Sequence, residues 1–252
     1  MNYNKIAESL DLAAHQAKAL PQISQDSEIN LEEAYAIQSI SIARRYIRGE
    51  KLVGLKLGFT SKAKMEQMGV HDMIWGRLTD GMHYEPGSDL NKSDFIHPRA
   101  EPEIAFKIKK NIEETITLDN AAEYVDAVAV AIEIIDSRYQ NFKFSLEDVV
   151  ADNCSSAAFV IGEWKAGAEV KDINMSLVVN DVIIHKGNSN AILGNPWESF
   201  VAAARLASEN GEILNAGDII LAGAATPAVY IDKGQSIGAH AEGLGSVYIN
   251  VV

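Results

Sequence analysis

Two carboxylates stand two residues apart in His97-Pro98-Arg99-Ala100-Glu101-Pro102-Glu103-Ile104-Ala105-Phe106. On an extended segment, period-two alternation puts Glu101 and Glu103 on one face and Ile104 and Phe106 toward the other environment. Adjacent like charges on one face ask for a cation. Further along, Glu133 sits inside the apolar run Ala127-Val128-Ala129-Val130-Ala131-Ile132-Glu133-Ile134-Ile135, where an unpaired carboxylate is expensive to bury. Three carboxylates around a hard divalent ion relieve these costs together, and an all-oxygen set suits magnesium, manganese or calcium better than zinc. Ala127, Ala129 and Ala131 share a face with Glu133 at period two, and small neighbours leave room for an ion and a ligand. Lys56, in Leu52-Val53-Gly54-Leu55-Lys56-Leu57-Gly58-Phe59-Thr60, offers another partner. A lysine between leucines either snorkels outward or points into a site, and a buried salt bridge to Glu133 would satisfy that carboxylate without a metal. On the residues alone both readings stand.

Other chemistries find no support. The chain has no Gly-x-Gly-x-x-Gly, no Gly-x-x-x-x-Gly-Lys, no His-Glu-x-x-His and no Gly-x-Ser-x-Gly, which leaves dinucleotide, P-loop, zincin and α/β-hydrolase readings without a motif. Cys154, the one cysteine, lacks a His/Asp partner nearby in sequence and reads as a small buried residue rather than a nucleophile. His97 is the only histidine near the carboxylates, and a structural role is expected for it. A net charge of −13 argues against nucleic acid or an anionic membrane as partner, since either requires a concentrated basic patch. No run of eighteen or more apolar residues occurs, and Met1 to Glu8 lacks the apolar core of a signal peptide, so a cytoplasmic location is expected.

The elements that must position these residues are legible from periodicity. Ile6, Leu10, Ala13, Ala17 and Leu20 recur at three and four, predicting a helix that runs until Pro21. Asn30 with Glu33 forms a capping-box pattern opening a second helix, with Ala34, Ile37, Ile40 and Ile47 on a stripe and Gly49 at its end. Arg44, Arg45 and Arg48 crowd its last turns, where cations complement the helix dipole. A strand over 52–60 and a short helix from Ser61 to Met68 follow, and 83–96 reads as connecting loop. The runs 136–144 and 152–158 are unusually polar for simple turns, although an ordinary turn is the reading for the second. Leu177 to Ile184 is a hairpin with Asn180-Asp181 at its turn, and Asn195-Pro196-Trp197-Glu198 starts a helix ending at Gly211. Strands are predicted over 218–223, 229–231 and 246–252. Helices in front and strands behind give an α+β class with mixed or antiparallel sheets. The division is an N-terminal helical region over 1–60 and a β-rich catalytic domain over 61–252, together one structural unit.

Several segments, in order and over nearly the whole chain, carry a family resemblance. They are Gly54 to Ser61, Pro98 to Ala105, Glu133-Ile134-Ile135-Asp136-Ser137-Arg138, Asp152-Asn153-Cys154-Ser155-Ser156 and Gly243-Leu244-Gly245-Ser246. Together they resemble the hydratase/decarboxylase family of meta-cleavage aromatic degradation, within the fumarylacetoacetate hydrolase superfamily. The resemblance implies a β-rich mixed sandwich or roll with an N-terminal helical region, and magnesium or manganese held by Glu101, Glu103 and Glu133. The runs 136–144 and 63–70 look like the 4-oxalocrotonate decarboxylase branch rather than the 2-keto-4-pentenoate hydratases. Asn195 before Pro196, where the family more often has histidine, and Ala222-Gly223-Ala224-Ala225-Thr226 depart from the family's pattern. The implied activity is decarboxylation of 2-oxo-3-hexenedioate to 2-hydroxypenta-2,4-dienoate, with hydration of that dienoate as the alternative. In this reading Lys56 attracts a carboxylate or trades a proton, with a pKa lowered by its pocket. Asp80, Ser155 and Ser156 orient water or substrate. A homo-oligomer, and association of the pathway's decarboxylase with its hydratase, are the expected partners beside a small 2-oxo acid.

Overall fold

The computed structural model describes residues 2–25, 28–61, 65, 66, 69, 71–113 and 115–252. Helices α1 (Tyr3–His15) and α2 (Leu31–Ile47) come first. Strands β1 (Leu52–Gly58), β2 (Ile74–Thr79), β3 (His83–Tyr84), β4 (Asp89–Leu90), β5 (Arg99–Ile108) and β6 (Val125–Ile135) follow. After the short helix α3 (Leu146–Ala151) come β7 (Ser156–Ile161), β8 (Asn174–Val179), β9 (Val182–Asn188) and helix α4 (Pro196–Glu209). The chain closes with β10 (Ile219–Ala224), β11 (Val229–Tyr230), β12 (Ser236–Ala241) and β13 (Gly245–Val251).

Two mixed sheets form. The larger runs β2-β1-β10-β5-β6-β7-β3, with β11 beside β5, and the smaller runs β4-β13-β12-β8-β9. The expected β-rich sandwich behind a helical front is what the chain builds. Alternation along β5 and β6 gives the larger sheet two different faces. Ile104, Phe106, Val128, Val130, Ile132 and Ile134 join Leu177, Ile237, Val247 and Ile249 of the smaller sheet in the main core. Ala105, Ala129 and Ala131 on the opposite face belong to a separate cluster with Ile42 of α2. Glu101, Glu103 and Glu133 share the parity of these alanines, so the carboxylates lie on the face away from the sandwich core.

The helices cover that second face. Ala7 and Leu10 of α1, Ala34 and Ile37 of α2, and Val149 and Val150 of α3 pack with Ile74 and Tyr139. Buried Gln38 of α2 donates to the carbonyls of Val150 at 2.8 Å and Trp75 at 3.2 Å and accepts from Arg77, so its amide ties α2 to β2 and α3. The last-turn arginines of α2 are structural: Arg44 and Arg48 pair with the nearly buried Asp11 of α1, and Arg45 pairs with Glu50.

Two expectations are corrected. The first helix ends at His15 rather than running on to Pro21. Ala17 adopts φ +49°, and the Lys18 N–H donates to the Ala13 carbonyl, a left-handed helix stop built on alanine instead of glycine. The loop over 83–96 contains the two-residue strands β3 and β4, too short for any periodic signature. Of the two readings left open for Lys56, the inward one holds, since the side chain is 4% exposed. Most of the predicted helix over 61–68 and of the segment 63–70 lies outside the described residues. The capping box at Asn30, the proline start at Pro196 and the Asn180-Asp181 turn, whose φ values are +50° and +64°, form as predicted.

Candidate active site

Antiparallel pairing of β5 with β6 puts Glu101 directly opposite Glu133 and Glu103 opposite Ala131. Glu101, Glu103 and Glu133 each offer an oxygen, and all three oxygens lie within 4.8 Å of one another. Two of these side chains are buried: Glu103 is 1% exposed and Glu133 is fully buried. Burial, together with the charge of Glu133, pushes the Glu103 carboxyl well above the ordinary carboxylate range, against the pull of Lys56 and of the Gly223 amide. An all-oxygen set with excess negative charge fits a hard divalent cation. The alanines at 127, 129 and 131 keep the neighbouring positions small, as the spacing predicted.

Lys56 comes from β1, where Leu55 and Leu57 point into the sandwich core. Its Nζ lies 2.9 Å from Glu133 Oε2 and donates to the Cys154 carbonyl at 3.3 Å. The salt bridge and the carboxylate cluster therefore coexist. Burial acts to lower the Lys56 pKa, but the charges of Glu133, Glu103 and Glu101 outweigh it and raise the pKa, holding the side chain as a cation. The lowering expected from the pocket is thus reversed by its carboxylates.

The segment 152–156 is not an ordinary turn. Asn153, Cys154 and Ser155 have φ of +49°, +52° and +59°, three consecutive non-glycine residues in a region that L-residues rarely enter. The conformation is held from both sides. Asn153 accepts from the Arg77 N–H at 2.7 Å and donates to the Arg77 carbonyl at 2.9 Å. Arg138 grips the Asp152 carboxylate and carbonyl and donates to the Asp136 carbonyl at 2.6 Å and the Ser156 carbonyl at 3.1 Å. Asp136 accepts from the amides of Ile96 and His97 at 2.8 and 2.7 Å, fixing the entry to β5. The polar run after β6 is accordingly a buttress. The buttressed turn delivers three groups: the Cys154 carbonyl to Lys56, the Ser156 hydroxyl to Glu133 Oε1 at 2.9 Å, and the Ser155 hydroxyl, buried without a hydrogen-bond partner. Cys154 itself is buried and donates to the Trp75 carbonyl at 3.0 Å.

Gly223 was legible only as a departure from a pattern. At φ +113° its N–H donates to Glu103 Oε2 at 2.8 Å, and a Cβ there would lie 2.1 Å from Thr60 Oγ1. The ladder beside β5 breaks at this point. β10 pairs with β5 as far as Glu103, and β11 resumes opposite Ala100 and Arg99. The gap opens onto a cavity of 680 Å³ lined by Lys56, Glu101, Ser155 and Arg99, with Phe142, Phe144, Ile135 and Pro227 as apolar wall.

Of the residues singled out in the sequence, Glu101, Glu103, Glu133, Lys56, Ser155 and Ser156 are brought together. Asp80 is not. It is exposed, it does not line the cavity, and its carboxylate accepts from the Lys51 N–H at 2.9 Å. Its position at the end of β2, on the far side of β1 from β10, takes it away from the carboxylates. Arg99 and Gly223 carry no spacing signal that marks them beforehand.

Comparison with known proteins places this geometry. A family model described as fumarylacetoacetate (FAA) hydrolase C-terminal matches residues 65–252. A 4-oxalocrotonate decarboxylase of a Pseudomonas species is 49% identical over 248 residues, covering 98% of this chain and 97% of its own. A 2-keto-4-pentenoate hydratase of Paraburkholderia xenovorans (strain LB400) is 34% identical over 224 residues, covering 87% of this chain and 83% of its own. Among solved structures, 4-oxalocrotonate decarboxylase from Pseudomonas putida G7, complexed with magnesium and adipate, superposes with a TM-score of 0.95 at 34% identity, covering 99% of this chain and 97% of that one.

Proposed function

The chain belongs to the fumarylacetoacetate hydrolase C-terminal family, and from that premise we propose that it is a divalent-metal-dependent decarboxylase. The reaction is conversion of 2-oxo-3-hexenedioate (4-oxalocrotonate) to 2-hydroxypenta-2,4-dienoate and carbon dioxide, in meta-cleavage degradation of aromatic compounds. The observation that carries the reading is the cluster of three carboxylates, of which Glu101 lines the cavity, with a buried cation beside it. The decarboxylase names of relatives at 49%, 39% and 37% identity support this branch over the hydratase.

Glu101, Glu103 and Glu133 are the residues that would hold magnesium or manganese. Bound there, the ion supplies a Lewis acid for a 2-oxo acid. Gly223 and Ser156 orient Glu103 and Glu133 by hydrogen bonds to one oxygen of each carboxylate, and Lys56 pairs with the second oxygen of Glu133. The Lys56 ammonium attracts the anionic substrate and holds a proton at Nζ beside the reacting end. Ser155, whose hydroxyl has no partner and lines the cavity, orients the substrate. The wall of Ile135, Phe142 and Phe144 packs against the carbon chain and keeps water from it, which favours loss of carbon dioxide over addition of water. Asp80 has no part in this assignment.

The proposal extends to a cytoplasmic homo-oligomer that associates with the hydratase of the same route. Among the described residues no helix is long and apolar enough to cross a membrane. Incubating the magnesium-loaded protein with 2-oxo-3-hexenedioate tests the reading. One carbon dioxide per dienoate formed is expected, abolished by a chelator and by Glu133→Gln. Formation of 4-hydroxy-2-oxopentanoate from the dienoate, with no carbon dioxide from the hexenedioate, would establish the hydratase instead.

A further inference from the structure

Resting on the decarboxylase reading, we infer that Arg99 is the specificity-determining residue that receives the distal carboxylate of a linear six-carbon dicarboxylate. Arg99 lies two residues before Glu101 on β5, on the same face of the strand. Among the described residues, Lys56 and Arg99 are the cations that line the cavity. Lys56 is paired with Glu133, whereas none of the ion pairs among the described residues involves Arg99. Its Nε is buried without a hydrogen-bond partner. A guanidinium is a rigid fork matched to a carboxylate, and among the described residues no carboxylate pairs with this one, whose side-chain acceptor is the Tyr230 hydroxyl.

The way Arg99 is held supports recognition rather than packing. Its guanidinium carbon sits 3.9 Å from the centroid of Phe142 and 4.2 Å from that of Tyr230, clamped between two rings. Tyr230 is the residue paired with Arg99 across the β5–β11 ladder, and its hydroxyl accepts from the guanidinium. Phe142 reaches its position through a turn in which Asn141 and Phe142 have φ of +60° and +56°, a conformation that costs free energy in non-glycine residues. The clamp fixes the plane of the fork while leaving the Nε edge without a hydrogen-bond partner among the described residues.

The spacing is also commensurate. Residues two apart on a strand are separated by about 6.8 Å, and five carbon–carbon bonds in an extended zigzag span roughly 6 Å. A 2-oxo diacid with its oxo-acid end at the glutamates therefore presents its far carboxylate near the level of Arg99. The apolar stretch between the ends faces Phe142 and Phe144. Attraction between the guanidinium and this carboxylate ends when the group leaves as neutral carbon dioxide, so recognition of the substrate does not retain the product.

Two six-carbon 2-oxo acids that differ only in the distal group, 2-oxoadipate and 2-oxohexanoate, serve as probes. Their binding to the magnesium-loaded protein is measured by calorimetry for the wild type, Arg99→Gln and Arg99→Lys. Arg99→Gln is expected to weaken 2-oxoadipate about 10- to 100-fold, the range for a lost charge-assisted hydrogen bond, and to change 2-oxohexanoate less than about 3-fold. Arg99→Lys, which keeps the charge but not the fork, should fall between. Equal weakening of both probes, or no change in either, overturns the inference. Failure of the decarboxylase reading looks different, because then the wild type releases no carbon dioxide from 2-oxo-3-hexenedioate, whichever way the two probes bind.

Discussion

Neutralising one of the three clustered carboxylates should stabilise the metal-free protein while abolishing its response to metal. The perturbation is Glu103→Gln, which keeps the shape and the acceptor for the Gly223 amide. At the 4.8 Å limit of the cluster, two full carboxylate charges repel by about 3.5 kcal/mol at an effective dielectric of about 20. Uptake of a proton by Glu103 and the nearby Lys56 ammonium relieve part of this, leaving about 1–3 kcal/mol to be recovered. For a chain of 252 residues, each kcal/mol moves Tm by about 2 °C, so Glu103→Gln in a chelator should melt about 2–6 °C higher. Magnesium at a hundred times its Kd adds about 2.7 kcal/mol, or about 5 °C, to the wild type, and should add under about 2 °C to the variant. The pH dependence has a definite sign. The Glu103 carboxyl is raised in the folded protein above its unfolded value, so the folded state binds more protons between the two values. Wild-type stability without metal therefore falls as pH rises through that window, and Glu103→Gln lacks this slope. Differential scanning fluorimetry with chelator and with magnesium, at several pH values, reads all of these. A variant less stable than wild type in chelator, or one that keeps the full magnesium increment, refutes the reasoning.

Gly223→Ala should cost about 2–4 kcal/mol in thermal melts and weaken magnesium binding by calorimetry, because the new Cβ would lie 2.1 Å from Thr60 Oγ1 at φ +113° and displace the amide that holds Glu103. Unchanged affinity would remove Gly223 from the site. Asp11→Asn removes the charge and one of the two acceptor oxygens shared by Arg44 and Arg48, which are 35% and 39% exposed and rehydrate; the expected loss is about 1–2 kcal/mol, or about 2–4 °C in Tm, without change in turnover. The Cys154 thiol is pushed up to about 12, mainly by burial and against the pull of Lys56. It should not react with a thiol reagent at pH 8 until denaturant unfolds the chain, and rapid labelling of the native protein would contradict its buried placement.

Much of the site was readable because its signals are local. The period-two spacing of Glu101 and Glu103 and the lone acid at Glu133 in an apolar strand fix which face each carboxylate takes, and only the cross-strand register was needed to unite them. The helix starts at Asn30 and Pro196 and the Asn180-Asp181 turn were readable for the same reason. What escaped depends on contacts between distant segments. In the left-handed run Asn153–Ser155 only Asn153 is of a type that enters that region readily, and the run is imposed by Arg77, Arg138 and Asp152. The end of α1 rests on Ala17 in a place where glycine is the usual sign. Lys56 between two leucines is ambiguous until β1 is known to lie beside β10, which carries the glycine that serves Glu103. Asp80, close in sequence to the strand β2, is taken to the surface by that strand's direction.

The central claim is that Glu101, Glu103 and Glu133 bind the ion that activates a 2-oxo acid. A crystal grown with manganese and oxalate, with diffraction recorded at the manganese absorption edge, tests it most directly. One anomalous peak bounded by an oxygen from each of the three glutamates, with oxalate chelating through two oxygens on the side open to the cavity, is the predicted result. A peak elsewhere, or oxalate bound away from the three glutamates, would contradict it.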